Sequence, residues 1–151
     1  MSALTFDSLV EQTDLDLGTG RWMTIDQKRI NAFADITEDP QWIHVDTERA
    51  AAGPFGSTIA HGYLTMSLIA PVLNDLFVVE GAKASINYGA NKVRFPAAVP
   101  SGSRLRGHLK LTKAERVAGG VQAFLQVTME IEGGDKPACV ADILIRLSDQ
   151  G

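Results

Sequence analysis

The chain lacks the features that mark several large classes of protein. Its 151 residues contain a single cysteine, Cys139, which excludes an intrachain disulfide and fits a reducing compartment. The longest apolar run, Leu68 to Leu73, is interrupted by Pro71 and is far too short to cross a bilayer. The formal net charge is −4, which argues against a nucleic-acid-binding surface because such surfaces are normally basic.

The first 17 residues also lack the marks of a targeting segment. They carry acidic but no basic residues, whereas secretory signals and transit peptides are basic. We therefore expect a cytoplasmic protein. A hydrophobic content of 45% with 21% charged residues is ordinary for a globular protein, and residues 1–151 are most simply one domain.

The order of the periodic patterns predicts an α+β fold. Helices are expected from a capping box at Thr24 and Gln27 to about Thr37, over 47–52 after Asp46, and over 62–76. From residue 84 onward the period changes to two. Antiparallel strands are expected over 84–88, 91–95, 104–113, 121–131 and 138–147. The long apolar helix over 62–76, with a kink or a restart predicted at Pro71, must pack against the sheet, which therefore curves around it.

One short region holds groups that fit the addition of water to an activated double bond. Asp39 and His44 lie in a loop, and Gly62 begins the long apolar helix. A carboxylate can activate water, an imidazole can relay a proton, and a helix-terminal amide can hold a developing oxyanion. The alternative interpretations are a turn residue that ends a helix for Asp39 and a structural, half-buried histidine for His44.

Four motifs in this order resemble the MaoC-like (R)-specific enoyl-CoA hydratases of the hot dog fold, and more closely the 3-hydroxyacyl-thioester dehydratases of the nodulation-protein-N-like branch. The motifs are Asp39-x4-His44, Gly53-Pro54-Phe55-Gly56, Ile59-Ala60-His61-Gly62 and Val93-Arg94-Phe95-Pro96. The resemblance runs from about Trp22 to Leu147. It implies hydration of trans-2-enoyl thioesters and the reverse dehydration, with Asp39 and His44 as the catalytic dyad, the Gly62 amide as oxyanion donor, and a homodimer whose sheets join.

The chain departs from the family pattern in two places. Gln41 and Trp42 stand where the commonest motif has Asn and Pro, a variation that fits the nodulation-protein-N-like branch and leaves both dyad positions intact. Ala70 stands where some hydratases of the family carry a serine that assists the aspartate. Whatever that serine contributes must be absent here or come from elsewhere.

Four further residues are candidate substrate contacts. Lys92 and Arg94 flank Val93 and either meet the phosphates of coenzyme A or belong to a solvated strand face. Trp42 either packs beside the dyad or anchors the loop at the edge of the core. Phe55 lies in the loop punctuated by glycine and proline.

The remaining histidines are not expected to act directly in chemistry. His61 is expected to hydrogen-bond main chain near the helix start, and His108 to be solvated on a strand. The histidines show no metal-ligand spacing and there is no cysteine cluster, so no metal is predicted. No cofactor is expected beyond a coenzyme A or acyl-carrier-protein thioester as substrate, and no nucleic-acid or membrane partner.

Two other functions compete with hydration. A thioesterase of the same fold would release a free thiol, and fold alone does not separate the two enzymes. A non-catalytic protein that binds acyl thioesters is the second rival; the complete dyad argues against it, whereas Ala70 keeps it open.

Overall fold

A computed structural model describes residues 3–151 and shows helices packed against an antiparallel sheet. The helices are α1 (Phe6–Val10), α2 (Gln27–Thr37), α3 (Trp42–Val45), α4 (Thr47–Ala51), α5 (Gly62–Ser67) and α6 (Ile69–Leu76). The strands are β1 (Leu4–Thr5), β2 (Leu15–Thr19), β3 (Met23–Ile25), β4 (Val79–Glu80), β5 (Ala84–Arg94), β6 (Ser103–Val117), β7 (Gly120–Ile131) and β8 (Cys139–Ser148). The predicted α+β class is confirmed.

The main sheet has the strand order β2-β6-β7-β8-β5, and β3 also pairs with β6. All of its pairings are antiparallel. The nearly continuous apolar strand β8 lies between β7 and β5, as its composition predicts. The two strands expected on either side of Gly89 are one strand, β5, whose register shifts between Asn87 and Gly89 and again between Ala90 and Lys92.

The long helix predicted over 62–76 is divided at Leu68 into α5 and α6. The cause is Pro71, because a proline has no N–H to donate to the carbonyl four residues earlier and its ring crowds that carbonyl. That carbonyl belongs to Ser67, the last residue of α5. The predicted restart is therefore confirmed, one turn before the proline itself.

Helix α6 packs closely on the sheet at Gly107 of β6. A Cβ added at Gly107 would lie 2.6 Å from a methyl carbon of Val72 and 2.9 Å from the sulfur of Met129. Val72 and Met129 are both buried in the main apolar core. The absence of a side chain at Gly107 thus sets how near the helix can approach the strand.

The predicted N-terminal cap of α2 is wrong. Thr24 lies in β3 and pairs with Arg104, whereas Asp26 is the N-cap and accepts a hydrogen bond from the Arg29 amide. Aspartate caps a helix as well as threonine does. Because Thr24 is held in β3, the helix begins after Asp26. Gln27 is consequently the first helical residue, and its side chain is free to reach a distant loop.

The single cysteine is part of the core. Cys139 is fully buried, and burial raises the pKa of its thiol to about 11, so it is a structural residue rather than a reactive thiol. Among the helices of residues 3–151, none has both the length and the apolar character needed to cross a bilayer; the longest, α2, has 11 residues.

Candidate active site

Asp39 is presented by the end of α2. Glu38 adopts a left-handed conformation with φ of 56°, and the Asp39 amide donates to the carbonyl of Ala34 at 3.0 Å, which closes the helix. Pro40 then directs the chain away. The Asp39 carboxylate is left half-exposed, with 50% of its side chain accessible to solvent. A carboxylate in this position is available to a substrate and to water.

His44 lies in the short helix α3 and is buried, with 6% of its surface exposed. Its Nδ1 is 2.7 Å from the carbonyl oxygen of Ile59. Because a carbonyl can only accept, the proton of the neutral ring must be on Nδ1, which leaves Nε2 as a hydrogen-bond acceptor. The ring is therefore prepared to receive a proton rather than to donate one.

Gln27 holds the His44 loop in place, a role that the sequence did not reveal. Its amide nitrogen donates to the carbonyl of His44 at 2.7 Å, and its carbonyl oxygen accepts from the Thr58 hydroxyl at 2.5 Å. The Ile59 amide also donates to the carbonyl of Ile43 at 3.0 Å. These bonds connect α2, α3 and the segment before α5. The role was not predicted from the sequence, because the expected capping box paired the Gln27 side chain with Thr24.

His61 joins the two dyad residues. Its ring stacks on that of His44, with centroids 3.7 Å apart and planes inclined by 23°. Its Nε2 is 3.0 Å from the main-chain oxygen of Asp39 and 3.9 Å from the carboxylate oxygen Oδ2 of the same residue. The expected hydrogen bond from His61 to main chain is confirmed, but the acceptor belongs to the dyad loop.

Burial controls the charge of His44. It lowers the pKa of His44 below its ordinary value, and the neighbouring His61 lowers it further when charged. The hydrogen bond to Ile59 and the charge of Asp39 raise it, but desolvation is the largest effect. His44 is therefore neutral near pH 7, as a proton acceptor needs to be.

The fold brings together three side chains of metal-ligand type, although their sequence spacing showed no such pattern. Ligand atoms of Asp39, His44 and His61 all lie within 4.8 Å of one another. A main-chain carbonyl already engages one nitrogen of each ring. The two rings are also stacked with their planes inclined by only 23°, whereas the ligands of a structural metal ion are arranged around it. The arrangement fits proton transfer better than metal ligation, and the predicted absence of a metal stays a prediction.

A cleft of about 470 Å³ opens beside His44. Its walls are mainly apolar and include Phe55, Ile59, Phe95, Val99 and Ala138. Gly62 also lines it, as the first residue of α5. Amides of a first helical turn have no acceptor within the helix, so the Gly62 N–H is free to bind an anionic oxygen. The cleft thus combines an apolar volume with a neutral imidazole and a main-chain N–H at a helix start.

A second cleft of about 420 Å³ shares Gly62 and Phe95 with the first. It is also lined by Tyr63, Met66 and Val93. The Phe95 ring lies over Gly62 so closely that a Cβ added there would be 3.2 Å from the nearest ring carbon. Phe95 and Gly62 therefore form the border between the two clefts.

The other predicted site residues are distributed unevenly. Phe55 lines the first cleft. Lys92 and Arg94 are exposed on β5, on either side of Val93 in the second cleft. Trp42 instead packs against Gly53 and beneath the guanidinium of Arg49, 4.2 Å from the ring centroid. This packing favours the loop-anchor interpretation of Trp42, and its prediction as a substrate contact stays untested.

Ala70 lies apart from the dyad within this chain. It lines a third cleft, of about 250 Å³, between α5–α6 and strands β5 and β8, together with Tyr63 and Leu73. His44 does not line that cleft. A side chain at position 70 therefore borders a cleft other than the one in which the dyad histidine lies.

Comparison with known proteins identifies relatives over most of the chain. Residues 9–131 match the model of the MaoC like domain. A 3-hydroxyacyl-thioester dehydratase Z of Mycobacterium tuberculosis is 53% identical over 131 residues, which cover 86% of this chain and 87% of that protein. Nodulation protein N of Rhizobium leguminosarum bv. viciae is 39% identical over 145 residues, covering 94% and 90% respectively.

Solved structures share the architecture at low sequence identity. The unliganded R-hydratase PhaJ1 from Pseudomonas aeruginosa superposes with a TM-score of 0.76 and 21% identity, over 97% of this chain and 86% of that one. An (R)-hydratase from A. caviae superposes with a TM-score of 0.75 and 23% identity, over 90% and 96%. The hot dog fold expected from the motifs is confirmed.

Proposed function

The chain belongs to the MaoC-like domain family, and from this membership we propose that it hydrates trans-2-enoyl thioesters to (R)-3-hydroxyacyl thioesters and catalyses the reverse dehydration. One observation carries the proposal. The Asp39 carboxylate lies within 4.8 Å of a ring nitrogen of His44, which borders the same cleft as the Gly62 amide. A relative with 53% identity, named as a 3-hydroxyacyl-thioester dehydratase, supports the reaction class.

The dyad supplies the proton transfers of the reaction. Water attacks C3 of the enoyl thioester, and its proton passes to the pair formed by the Asp39 carboxylate and His44 Nε2. The new C–O bond displaces the π electrons toward the thioester, and the dyad returns one proton to C2. The balance needs no oxidant, reductant or other reactant. General acid–base groups of this kind contribute roughly 10²–10⁴ each in rate.

The Gly62 amide stabilises the charge that develops. As C3 is attacked, negative charge moves to the thioester oxygen, and a fixed N–H at the start of α5 is placed to donate to it. Glycine suits this position because the Phe95 ring leaves little room for a side chain. The substrate carbonyl must come close to the main chain at this point.

These roles orient the substrate across the two clefts. With the carbonyl at Gly62 and C3 toward His44, the acyl chain extends into the apolar cleft lined by Phe55 and Val99. The sulfur and its carrier then leave over the second cleft, past Val93. Lys92 and Arg94 are exposed beside that path and are suited to phosphate groups. Coenzyme A and the acyl carrier protein both present phosphate to such residues.

We propose a homodimer that joins two sheets along β5. Among residues 3–151 this strand pairs only with β8, so its other edge offers main-chain groups for pairing. Its side chains Ile86 and Tyr88 are exposed, as is Tyr63 on the neighbouring helix at 74%. Light scattering tests the assembly by mass.

We also propose that the enzyme is cytoplasmic, since the free thiol of Cys139 stays reduced there.

Loss of enoyl absorbance with crotonyl-CoA and longer trans-2-enoyl-CoAs, followed by chiral analysis of the product, tests the function. We expect the (R)-3-hydroxy product, no release of free thiol, and unchanged turnover after treatment with a chelator. An (S) product would overturn the stereochemical proposal. Thiol release without hydration would make the protein a thioesterase, and loss of activity with the chelator would replace the metal-free mechanism.

A further inference from the structure

His61 has no step in the proposed reaction, yet it contacts both members of the dyad. It is 2% exposed, lies just before α5, and stacks on His44 while bonding to the main chain of Asp39. We propose that His61 is a positioning residue that holds the Asp39 loop and the His44 ring in their reactive arrangement. This inference rests on the proposed hydratase function.

The first contact fixes the main chain of Asp39. The Asp39 amide is bonded to Ala34, and its carbonyl accepts from His61 Nε2 at 3.0 Å. The carboxylate itself is half-exposed, and its Oδ2 is 3.9 Å from the same nitrogen, beyond hydrogen-bond distance. The position of the carboxylate therefore depends on a main chain that is held at both its N–H and its carbonyl.

The second contact fixes the ring plane of His44. The hydrogen bond from Nδ1 to Ile59 sets the position of one ring edge but permits the ring to tilt about it. Stacking at 3.7 Å against His61 removes that freedom. His61 is itself packed against Phe33, with centroids 5.0 Å apart. The packing of His61 between Phe33 and His44 thus fixes the direction of His44 Nε2.

The hydrogen bonding of His61 implies a definite tautomer. Because the Asp39 carbonyl only accepts, Nε2 carries the proton in the neutral ring, and Nδ1 holds the lone pair. Nδ1 is buried and has no partner among residues 3–151. No other group competes with Asp39 for the orientation of the ring. His61 and His44 therefore have opposite tautomers, although they are stacked.

Two substitutions separate the hydrogen bond from the stacked ring. His61→Gln retains a terminal N–H that can reach the Asp39 carbonyl, whereas His61→Phe retains a ring against His44 and removes the donor. We expect His61→Phe to lower kcat by roughly 10- to 100-fold, because small displacements of reacting groups have effects of that size. KM for crotonyl-CoA should change much less, since the ground-state contacts remain. His61→Gln should also lower kcat, because it keeps the bond to Asp39 but removes the ring that stacks on His44.

A matched control and a second readout exclude a general loss of structure. His108→Gln removes an exposed histidine on β6 that pairs with Asp16 and should leave kcat unchanged. In both His61 variants, NMR titration should give a higher pKa for His44, because the electrostatic interaction with His61 that lowers it is gone. Of the groups that act on His44 by charge, Asp39 remains in both variants.

The wild-type protein keeps the proposal testable if a variant fails to fold. Nitrogen-15 NMR of the histidine rings at neutral pH should show the Nε2–H tautomer for His61 and the Nδ1–H tautomer for His44. The Nδ1–H tautomer at His61 would overturn the proposal, as would unchanged kcat in either His61 variant, because each variant removes one of the two contacts. Absence of hydration by wild-type protein would refute the proposed function instead, and the tautomers would remain measurable.

Discussion

The imidazole ring of His44 stacks on that of His61 at a centroid distance of 3.7 Å, inside a site where both rings are buried. Two stacked imidazoles cannot both be positively charged without strong repulsion. The pair therefore favours a neutral His44, which is the form that can accept a proton from water. The stacking connects the local structure of α3 and α5 directly to the chemistry of the site.

The first prediction concerns acid stability. The pKa of His44 is lower in the folded protein than the ordinary histidine value of about 6.5, mainly through burial. Below about pH 6.5 the histidine is protonated in the unfolded chain but stays neutral in the folded protein. The free energy of unfolding therefore falls as pH decreases toward the folded pKa. Urea unfolding at several pH values should show a smaller loss between pH 7 and 5 for His44→Gln than for wild type. Equal losses would mean that His44 is not held neutral by the fold.

The second prediction concerns the approach of α6 to the sheet. Gly107→Ala places a Cβ 2.6 Å from Val72 and should destabilise the protein by about 1–3 kcal/mol through overpacking. Val72→Ala alone leaves a cavity and should also destabilise. The double variant should be more stable than the sum of the two losses indicates, because the second change makes room for the first. Denaturant midpoints of the four proteins measure this coupling, and strict additivity would contradict the packing described.

The third prediction isolates the Gly62 amide. Gly62→Ala and Gly62→Pro both introduce a Cβ about 3.2 Å from the Phe95 ring, which is partly exposed and can shift. Only proline removes the N–H, and proline is tolerated at the first position of a helix. Turnover of Gly62→Pro should be roughly 10²–10³ lower than that of Gly62→Ala, the usual effect of one oxyanion donor. Similar turnover in two folded variants would assign the oxyanion to another group.

The fourth prediction tests the carrier path. Lys92→Ala with Arg94→Ala should raise KM for an enoyl-CoA by roughly tenfold, about 1.4 kcal/mol of lost contact with phosphate. The corresponding N-acetylcysteamine thioester lacks those phosphates, so its KM should not change. Steady-state kinetics with both substrates decide the matter. A parallel rise for the two thioesters would show that β5 affects the acyl cleft instead.

The sequence predicted the features that depend on local patterns. Asp39 and His44 are close together in the chain and follow a helix end, and β6, β7 and β8 alternate clearly enough to be found by period. Strand β2 was not predicted, because it is short and irregular, with Gly18 at a φ of 97° beside a register shift. Its place in the sheet is fixed by pairing with β6 rather than by its own composition.

The missing parts of the site are tertiary. The stack of His44 on His61 and the bonds from Gln27 to His44 and Thr58 join segments far apart in the chain. Nothing in the spacing of these residues indicates that they meet, because the meeting depends on how α2, α3 and α5 pack. Trp42 shows that closeness in sequence does not place a residue in the site. The next residue, Ile43, lines the cleft, whereas the Trp42 ring packs on Gly53.

The last prediction separates an enzyme from a binding protein. Asp39→Asn keeps the shape of the side chain but removes the base, and His44→Gln keeps a polar group but removes the acceptor nitrogen. Each change should lower turnover by roughly 10²-fold or more. If both groups act on one water, the double variant should lose little beyond the worse single variant, because residues that act as a unit are not additive.

Binding of a saturated acyl-CoA should change far less in all three variants, since the dyad serves the transition state rather than the ground state. Hydration kinetics and calorimetric affinity on proteins of verified folding provide both measurements. Unchanged turnover in either single variant would remove that residue from the mechanism. Tight binding of acyl-CoA by the wild-type protein, without hydration of any enoyl thioester, would instead identify a non-catalytic binding protein.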